Sequence, residues 1–389
     1  MSGLLRRTLP GLRGPALPLV IGLQAVAAVL YCLALTGRLL PVEDLDLVRP
    51  FDGLVRSGNL AQTMLLTTLG FALTRLLLEA RRRSPVVCLA VGVMWLAGLL
   101  LVLALVCCLA WLFGRVQDPP VASAEVTRTS IQQILTFRWN YWVAEHPLGS
   151  RADLVSLWFL VVAAQLVAGL VVLVLVLGRL ERVLAVTVAL LAVAALVWRE
   201  VAFDEYGWFQ ASLDTLARSD AFLIGVLAAL MSPRLRFTPN LAAAIASGSF
   251  LVLLGLVLAS SFTTVEGSFN LWPVAALLAG MVCLGAAHAP QRASLVVETL
   301  GSSRLGRAGG LWLPAVAWAG YVVSTASRTE DVDPYLVSAV CLLVTAFAAV
   351  LSGMLLERVI ARMEGMLSPS SAEDGPEDRG AGGEPAAHA

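Results

Sequence analysis

The stretch Val86–Phe113, VVCLAVGVMWLAGLLLVLALVCCLAWLF, holds no charged residue, hydroxyl or amide. A helix crossing the hydrocarbon core of a bilayer needs about 20 apolar residues, so this segment alone reads as a membrane span. Working outward, nine further apolar runs lie at 14–37, 60–78, 153–178, 183–198, 215–231, 241–262, 271–289, 309–326 and 335–357. Three of the ten depart from the simple pattern. The run at 60–78 holds Gln62 and Arg75, that at 183–198 is short, and that at 215–231 opens on a polar turn around Arg218 and Asp220. Shorter or polar spans are tolerated where they face protein rather than lipid.

Composition agrees. Of 389 residues, 58% are apolar and 14% charged, too few polar groups to clothe a soluble globule of this size. Formal charge is balanced at +0, which points away from nucleic acid as a partner. Every basic residue is Arg, so a lysine nucleophile is excluded. The six Cys all fall inside apolar runs without metal-binding spacing and read as small core residues. Arg6 and Arg7 precede an apolar stretch that runs past signal-peptide length to Thr36, so the first helix is expected to remain as an anchor.

Ten spans with a cytoplasmic N-terminus place Arg6/Arg7/Arg13, Arg81/Arg82/Arg83, Arg179/Arg182, Arg234/Arg236, Arg304/Arg307 and Arg358/Arg362 on the cytoplasmic side, as the bias against translocating cationic loops requires. The opposite connections are mixed or acidic, such as Glu43-Asp44-Leu45-Asp46 and Asp204-Glu205. The longest, about 114–152, carries Ile131, Ile134, Leu135, Trp139 and Trp142 among polar residues and predicts an interfacial amphipathic helix. From Ser368 the chain is rich in Ser, Pro, Gly, Glu and Asp, the composition of a disordered tail.

Several short motifs follow one another along the chain. Leu9-Pro10-Gly11-Leu12-Arg13-Gly14 precedes the first span, and Gly70-Phe71-Ala72-Leu73-Thr74 lies in the second. Asn140-Tyr141-Trp142 precedes the fourth span, and Ser156, Leu157, Trp158, Leu160, Val162 and Gln165 mark its first half. Thr215, Arg218, Asp220 and Gly225 follow, then Leu305-Gly306-Arg307 and Leu356-Glu357-Arg358. In this order they resemble the type 3 membrane acyltransferase family, the ten-helix O-acyltransferases that decorate bacterial envelope sugars. The resemblance covers nearly the whole chain but departs from the family at the reactive positions. Gln24 stands where the family has its essential His, Ser156 replaces a second His, and Ala163 and Ala164 replace a pair of Glu. Gly309 and Gly310 replace Ser-Tyr, and Val316 a late His.

What the family implies is proton relay by a midplane His and its acidic neighbours while an acyl group passes from cytoplasmic coenzyme A to an external hydroxyl. An imidazole exchanges protons near neutral pH. The Gln24 amide, about 16 Å along the helix from Arg13, does not, although it donates and accepts hydrogen bonds. Of the three His, His146 alone falls in an external connection.

The resemblance therefore predicts an all-α integral membrane protein. Residues 1–366 form a ten-transmembrane-helix bundle with an external interfacial helix, and 367–389 a disordered cytoplasmic tail. The expected place is the bacterial plasma membrane, multi-pass, with both termini cytoplasmic. The cavity or substrate-binding candidates are Arg13, Gln24, Gln165, Arg218, Asp220 and Glu357. Arg13 and Arg75 fit either snorkelling anchors or phosphate contacts, and Gln24 and Gln165 either interhelical hydrogen bonds or ligand binding. Arg218 and Asp220 fit a functional pair or an interfacial one, and Glu357 with Arg358 an interfacial cap. No catalytic residue, metal or cofactor is expected, and acyl-CoA is the donor if the chain is active. The leading expectation is a degenerate member of this architecture that binds membrane lipid, an envelope glycan or glycolipid precursor, or a partner membrane enzyme. One alternative is a divergent active O-acyltransferase using Arg218, Asp220 or His146. The other is a lipid or glycan transporter, against which the missing repeat symmetry and the few midplane charges argue.

Overall fold

The computed structural model describes residues 16–40, 49–116, 122–260, 267, 269–290, 292–328 and 332–367. Among them there are helices and no strands. The principal helices, in chain order, are α1 (Ala16–Thr36), α2 (Arg49–Arg56), α3 (Gly58–Arg83), α4 (Pro85–Val116), α5 (Ala124–Leu135), α6 (Trp139–Glu145), α7 (Trp158–Leu177) and α8 (Glu181–Leu213). There follow α9 (Thr215–Met231), α10 (Pro239–Ala259), α11 (Trp272–Ala286), α12 (Leu295–Leu300), α13 (Ser303–Gly309), α14 (Trp312–Ala326) and α15 (Pro334–Leu367).

By length and composition, 7 helices can cross a membrane: Leu17–Leu39, Gly58–Arg83, Pro85–Gly114, Ala152–Leu177, Glu181–Leu213, Pro239–Ala259 and Pro334–Val359. The chain is thus a helical, multi-pass membrane protein. The three remaining expected spans are helical but shorter, at 17 residues in α9 and 15 each in α11 and α14. Their surroundings explain this, because most of α9 is buried among other helices, where backbone and side chains need not satisfy a lipid environment.

Burial separates a core from a periphery. In α3, 89% of the apolar window is buried, against 22% in α8 and 28% in α10. The peripheral helices turn Val186, Leu190, Val193, Leu251 and Val252 outward, with Leu343 and Phe347 of α15 beside them. So much exposed aliphatic surface marks a lipid-facing belt. Five of the six Cys are buried as expected, while Cys108 is exposed on α4.

Alternate connections meet at one end of the bundle. There Arg82 Nη2 donates to Glu181 Oε1 at 3.0 Å, Arg234 approaches the same carboxylate at 3.7 Å, and Arg75 Nη1 donates to Ser232 Oγ at 3.2 Å. His288 Nε2 sits 2.9 Å from the Ser232 carbonyl oxygen. The basic clusters Arg81–Arg83 and Arg234 therefore share one face, as their alternation in sequence required. Arg6, Arg7, Arg13 and the tail from 368 lie outside the described residues.

Two expectations need correction. The fifth span does not stop at residue 198: α8 continues as far as Leu213, broken only at Gly207, whose φ of 78° and ψ of 169° are not helical. The polar run beginning at Arg199 ends the hydropathy signal without ending the helix. The long connection is also not a single interfacial helix but α5 and α6, folded onto the bundle with Ile134 and Trp139 fully buried. A buried, bidentate pair clamps it: Arg151 Nε and Nη2 donate to Asp153 Oδ1 and Oδ2 at 2.8 and 3.0 Å, and Nη2 also to the Ala110 carbonyl at 2.6 Å.

Candidate functional site

Gln24 lies on the buried face of α1 and opens onto a groove between α1, α3 and α14. Leu69, Leu73 and Leu76 of α3 form one wall, Trp312 and Leu313 the other, and Trp95 and Leu356 close the sides. No residue in the lining carries a side chain that titrates. Gly309 and Gly310 also line it. At Gly309 a Cβ would stand 2.0 Å from the Ile21 carbonyl oxygen, so a larger residue there would push α13 off α1. The groove is therefore lined by apolar side chains with one carboxamide among them.

The other positions singled out in the sequence are sealed. Ala163 and Ala164 are fully buried in α7, and Val316 in α14. The Ser156 hydroxyl is buried with no hydrogen-bond partner among the described residues, and a Cβ at Gly320 would strike it at 1.7 Å. No room remains there for an imidazole. The groove's lining ends at Gln24 and includes neither Gln62 nor Arg218.

Gln165 is a structural brace. Its Nε2 donates to the Phe137 carbonyl at 2.5 Å and to Asn140 Oδ1 at 3.1 Å, while its Oε1 accepts from the Thr215 hydroxyl. Asn140 Nδ2 in turn donates to the Leu213 carbonyl and to Thr215 Oγ1, both at 3.0 Å. This network ties α6, α7 and α9 together, and every polar atom of the amide is used. It also holds Phe137, the C-terminal residue of the α5 cap, which adopts φ 56°. The cap has the Schellman pattern, with Phe137 N–H bonded to Ile134 O at 3.1 Å and Arg138 N–H to Gln133 O at 2.8 Å. A left-handed conformation away from Gly costs about 1 kcal/mol or more, and the Gln165 bond helps to fix it.

Arg218 and Asp220 do come together with other groups, though not with the groove. Arg218 is 1% exposed; its Nε donates to the Ser212 carbonyl at 3.0 Å, and its Nη2 to Asn59 Oδ1 and Gln62 Oε1 at 3.2 and 3.3 Å. Its guanidinium lies 3.6 Å from the Trp272 ring centroid and 5.4 Å from that of Trp158. Asp220 faces Arg199 instead, at 3.7 Å, and its Oδ1 accepts the Ala221 N–H. Arg199, which is also buried, bonds Glu200 and the Phe269 carbonyl and lies 5.0 Å from the Phe269 ring.

Of the other candidates, Glu357 is exposed on α15 beside the groove residue Leu356. Arg13 lies outside the described residues. His146 is exposed at the end of α6, stacked on Trp142 at 4.0 Å, away from both groups of residues. Sequence reasoning missed Arg199, Asn59, Phe269 and Trp272. The signal available was the Trp198-Arg199-Glu200 run at the apparent end of a span, a position usually filled by an interfacial anchor.

No family model, curated protein or solved structure matches this chain.

Proposed function

We propose that this protein is a bacterial plasma-membrane protein of acyltransferase-3-like, ten-helix architecture that has given up acyl transfer and holds the acyl chain of a membrane lipid in the groove at Gln24. The observation carrying this reading is the lining itself, which is apolar throughout with one uncharged amide and no proton carrier. General-base catalysis requires a group within hydrogen-bond reach that exchanges protons near the working pH. Asp220 and His146, the nearest substitutes by type, are not in the lining. Buried Ala163, Ala164 and Val316 support the same reading, because small or aliphatic side chains pack at the positions where the family it resembles carries ionisable groups.

The test uses purified protein with radiolabelled acyl-CoA and, separately, a photoactivatable fatty-acyl lipid. The lipid is expected to crosslink to α1 or α3, and an Ala72→Trp variant, which fills the groove, to lose that adduct. No acyl product is expected from either protein. Turnover abolished by Gln24→Ala or Arg13→Ala would refute lost catalysis, and an unchanged adduct in Ala72→Trp would refute the groove.

A further inference from the structure

A second site stands apart from the groove. Arg218 and Arg199 are both buried, yet acidic groups are distributed unequally between them. Arg199 meets Asp220 at 3.7 Å and Glu200 at 2.5 Å, whereas Arg218 forms no ion pair among the described residues. Its partners are neutral oxygens from Ser212, Asn59 and Gln62. A buried cation normally retains a counter-charge, because removing it from water is costly.

The donors left over point the same way. Arg218 Nη1, Arg199 Nε and Trp272 Nε1 are all buried without a hydrogen-bond partner among the described residues. They belong to one continuous stack. The Arg218 guanidinium lies on Trp272 at 3.6 Å, Trp272 abuts Phe269 at 4.4 Å between centroids, and Phe269 lies under Arg199 at 5.0 Å. Aromatic faces hold each guanidinium flat and leave its edge free to donate. At the rim, Asn59 is half-buried and Asn270 exposed, so the stack reaches the end of the bundle opposite the Arg-rich connections.

We propose that Arg218 and Arg199, with Trp272 between them, form a binding site for a phosphate-type oxyanion. A phosphate supplies Arg218 with a directly bonded charge and offers several acceptor oxygens to the unused donors, and planar guanidinium forks match it. The phosphate is either free or borne by a lipid headgroup.

The experiment uses the full chain in nanodiscs. One arm titrates inorganic phosphate into phosphatidylcholine discs by calorimetry, and the other measures by native mass spectrometry how much phosphatidylglycerol is retained over phosphatidylcholine. Wild type is expected to bind in at least one arm. Signal in the first arm alone identifies a free phosphate, and signal in the second a headgroup. Arg218→Gln is expected to weaken that binding at least tenfold, while Arg128→Gln, which removes an exposed cation of α5, leaves it unchanged. If Arg218→Gln does not assemble, Arg218→Lys keeps the charge but loses the flat stack and is expected to weaken binding severalfold. Absence of binding by wild type in both arms overturns the proposal. So does binding that the folded Arg218 variant leaves unchanged. Neither result bears on the Gln24 groove, which is read by the acyl photoadduct.

Discussion

Replacing Gly225 by Ala would set a methyl carbon 1.9 Å from the Thr67 carbonyl oxygen, 2.8 Å from its carbonyl carbon and 3.1 Å from the Phe71 nitrogen. All three are backbone atoms of α3, so no side chain can rotate to make space. Across the same crossing a Cβ at Gly70 would stand 2.3 Å from the Phe222 carbonyl oxygen. The two glycines form a seam at which α3 and α9 touch backbone to backbone, as close-packed membrane helices do. Ordinary contact between such atoms is about 3.5 Å, so the helices must part by roughly 1.5 Å. Overpacking of this kind costs about 1–3 kcal/mol. The parting also stretches the Arg218 bonds to Asn59 and Gln62, now 3.2 and 3.3 Å, beyond useful length. Hydrogen bonds to a charged group contribute about 1.5–3 kcal/mol each, which puts the expected loss at about 3 kcal/mol or more. The assay is reversible unfolding in bicelles, with Gly255→Ala as reference because nothing lies within 4 Å of a Cβ there. The reference should match wild type or exceed it, since Ala favours helix over Gly by about 1 kcal/mol. Equal stability of the two variants would refute the seam.

Other outcomes follow from the same packing. Arg151→Ala leaves Asp153 buried without its partner and is expected to destabilise by about 3–5 kcal/mol, seen as faster proteolysis within residues 122–157. The paired change Arg151→Met with Asp153→Leu should recover much of that loss, and no recovery would count against the clamp. Gln165→Ala removes the brace on Phe137, Asn140 and Thr215 and is expected to cost about 1–3 kcal/mol in the unfolding assay, with the acyl photoadduct unchanged. Ser156→Ala deletes a buried hydroxyl that has no partner among the described residues, so stability should be equal or up to about 1 kcal/mol higher, whereas Ser156→His should fail to fold against Gly320.

Much of the helical framework was legible because lipid imposes a simple rule, and Val86–Phe113 or the run at 241–262 has no other physical reading. Legibility faded where protein replaces lipid as the neighbour. Helix α8 outruns its hydropathy signal because Arg199 finds Asp220, Glu200 and Phe269, none of which adjoin it in an apolar run except Glu200. Likewise the connection over 122–152 looked amphipathic, and Ile134 and Trp139 on its apolar side pack against the bundle. At the candidate sites, the sequence marked Gln24, Arg218 and Asp220 by residue type and left their grouping open. Gln24 joins the apolar groove, and the other two join a stack whose aromatic members come from residues 158, 269 and 272. Proximity of Trp272 to Arg218 is a property of the folded bundle and leaves no local pattern. Gln165 shows the opposite case, in which a plausible ligand-binding amide is consumed by the scaffold.

The buried guanidinium of Arg218 also constrains biogenesis. Inserted alone, α9 would carry an arginine and an aspartate toward hydrocarbon in its first turns, where each costs less than the roughly 2.5–3.5 kcal/mol charged at the centre of a nascent helix but still needs a polar partner. Its first polar neighbours, Asn59 and Gln62 on α3 and Arg199 on α8, are synthesised earlier. A reception surface therefore already stands in the bilayer when α9 leaves the ribosome, and Trp272 arrives last to cover it.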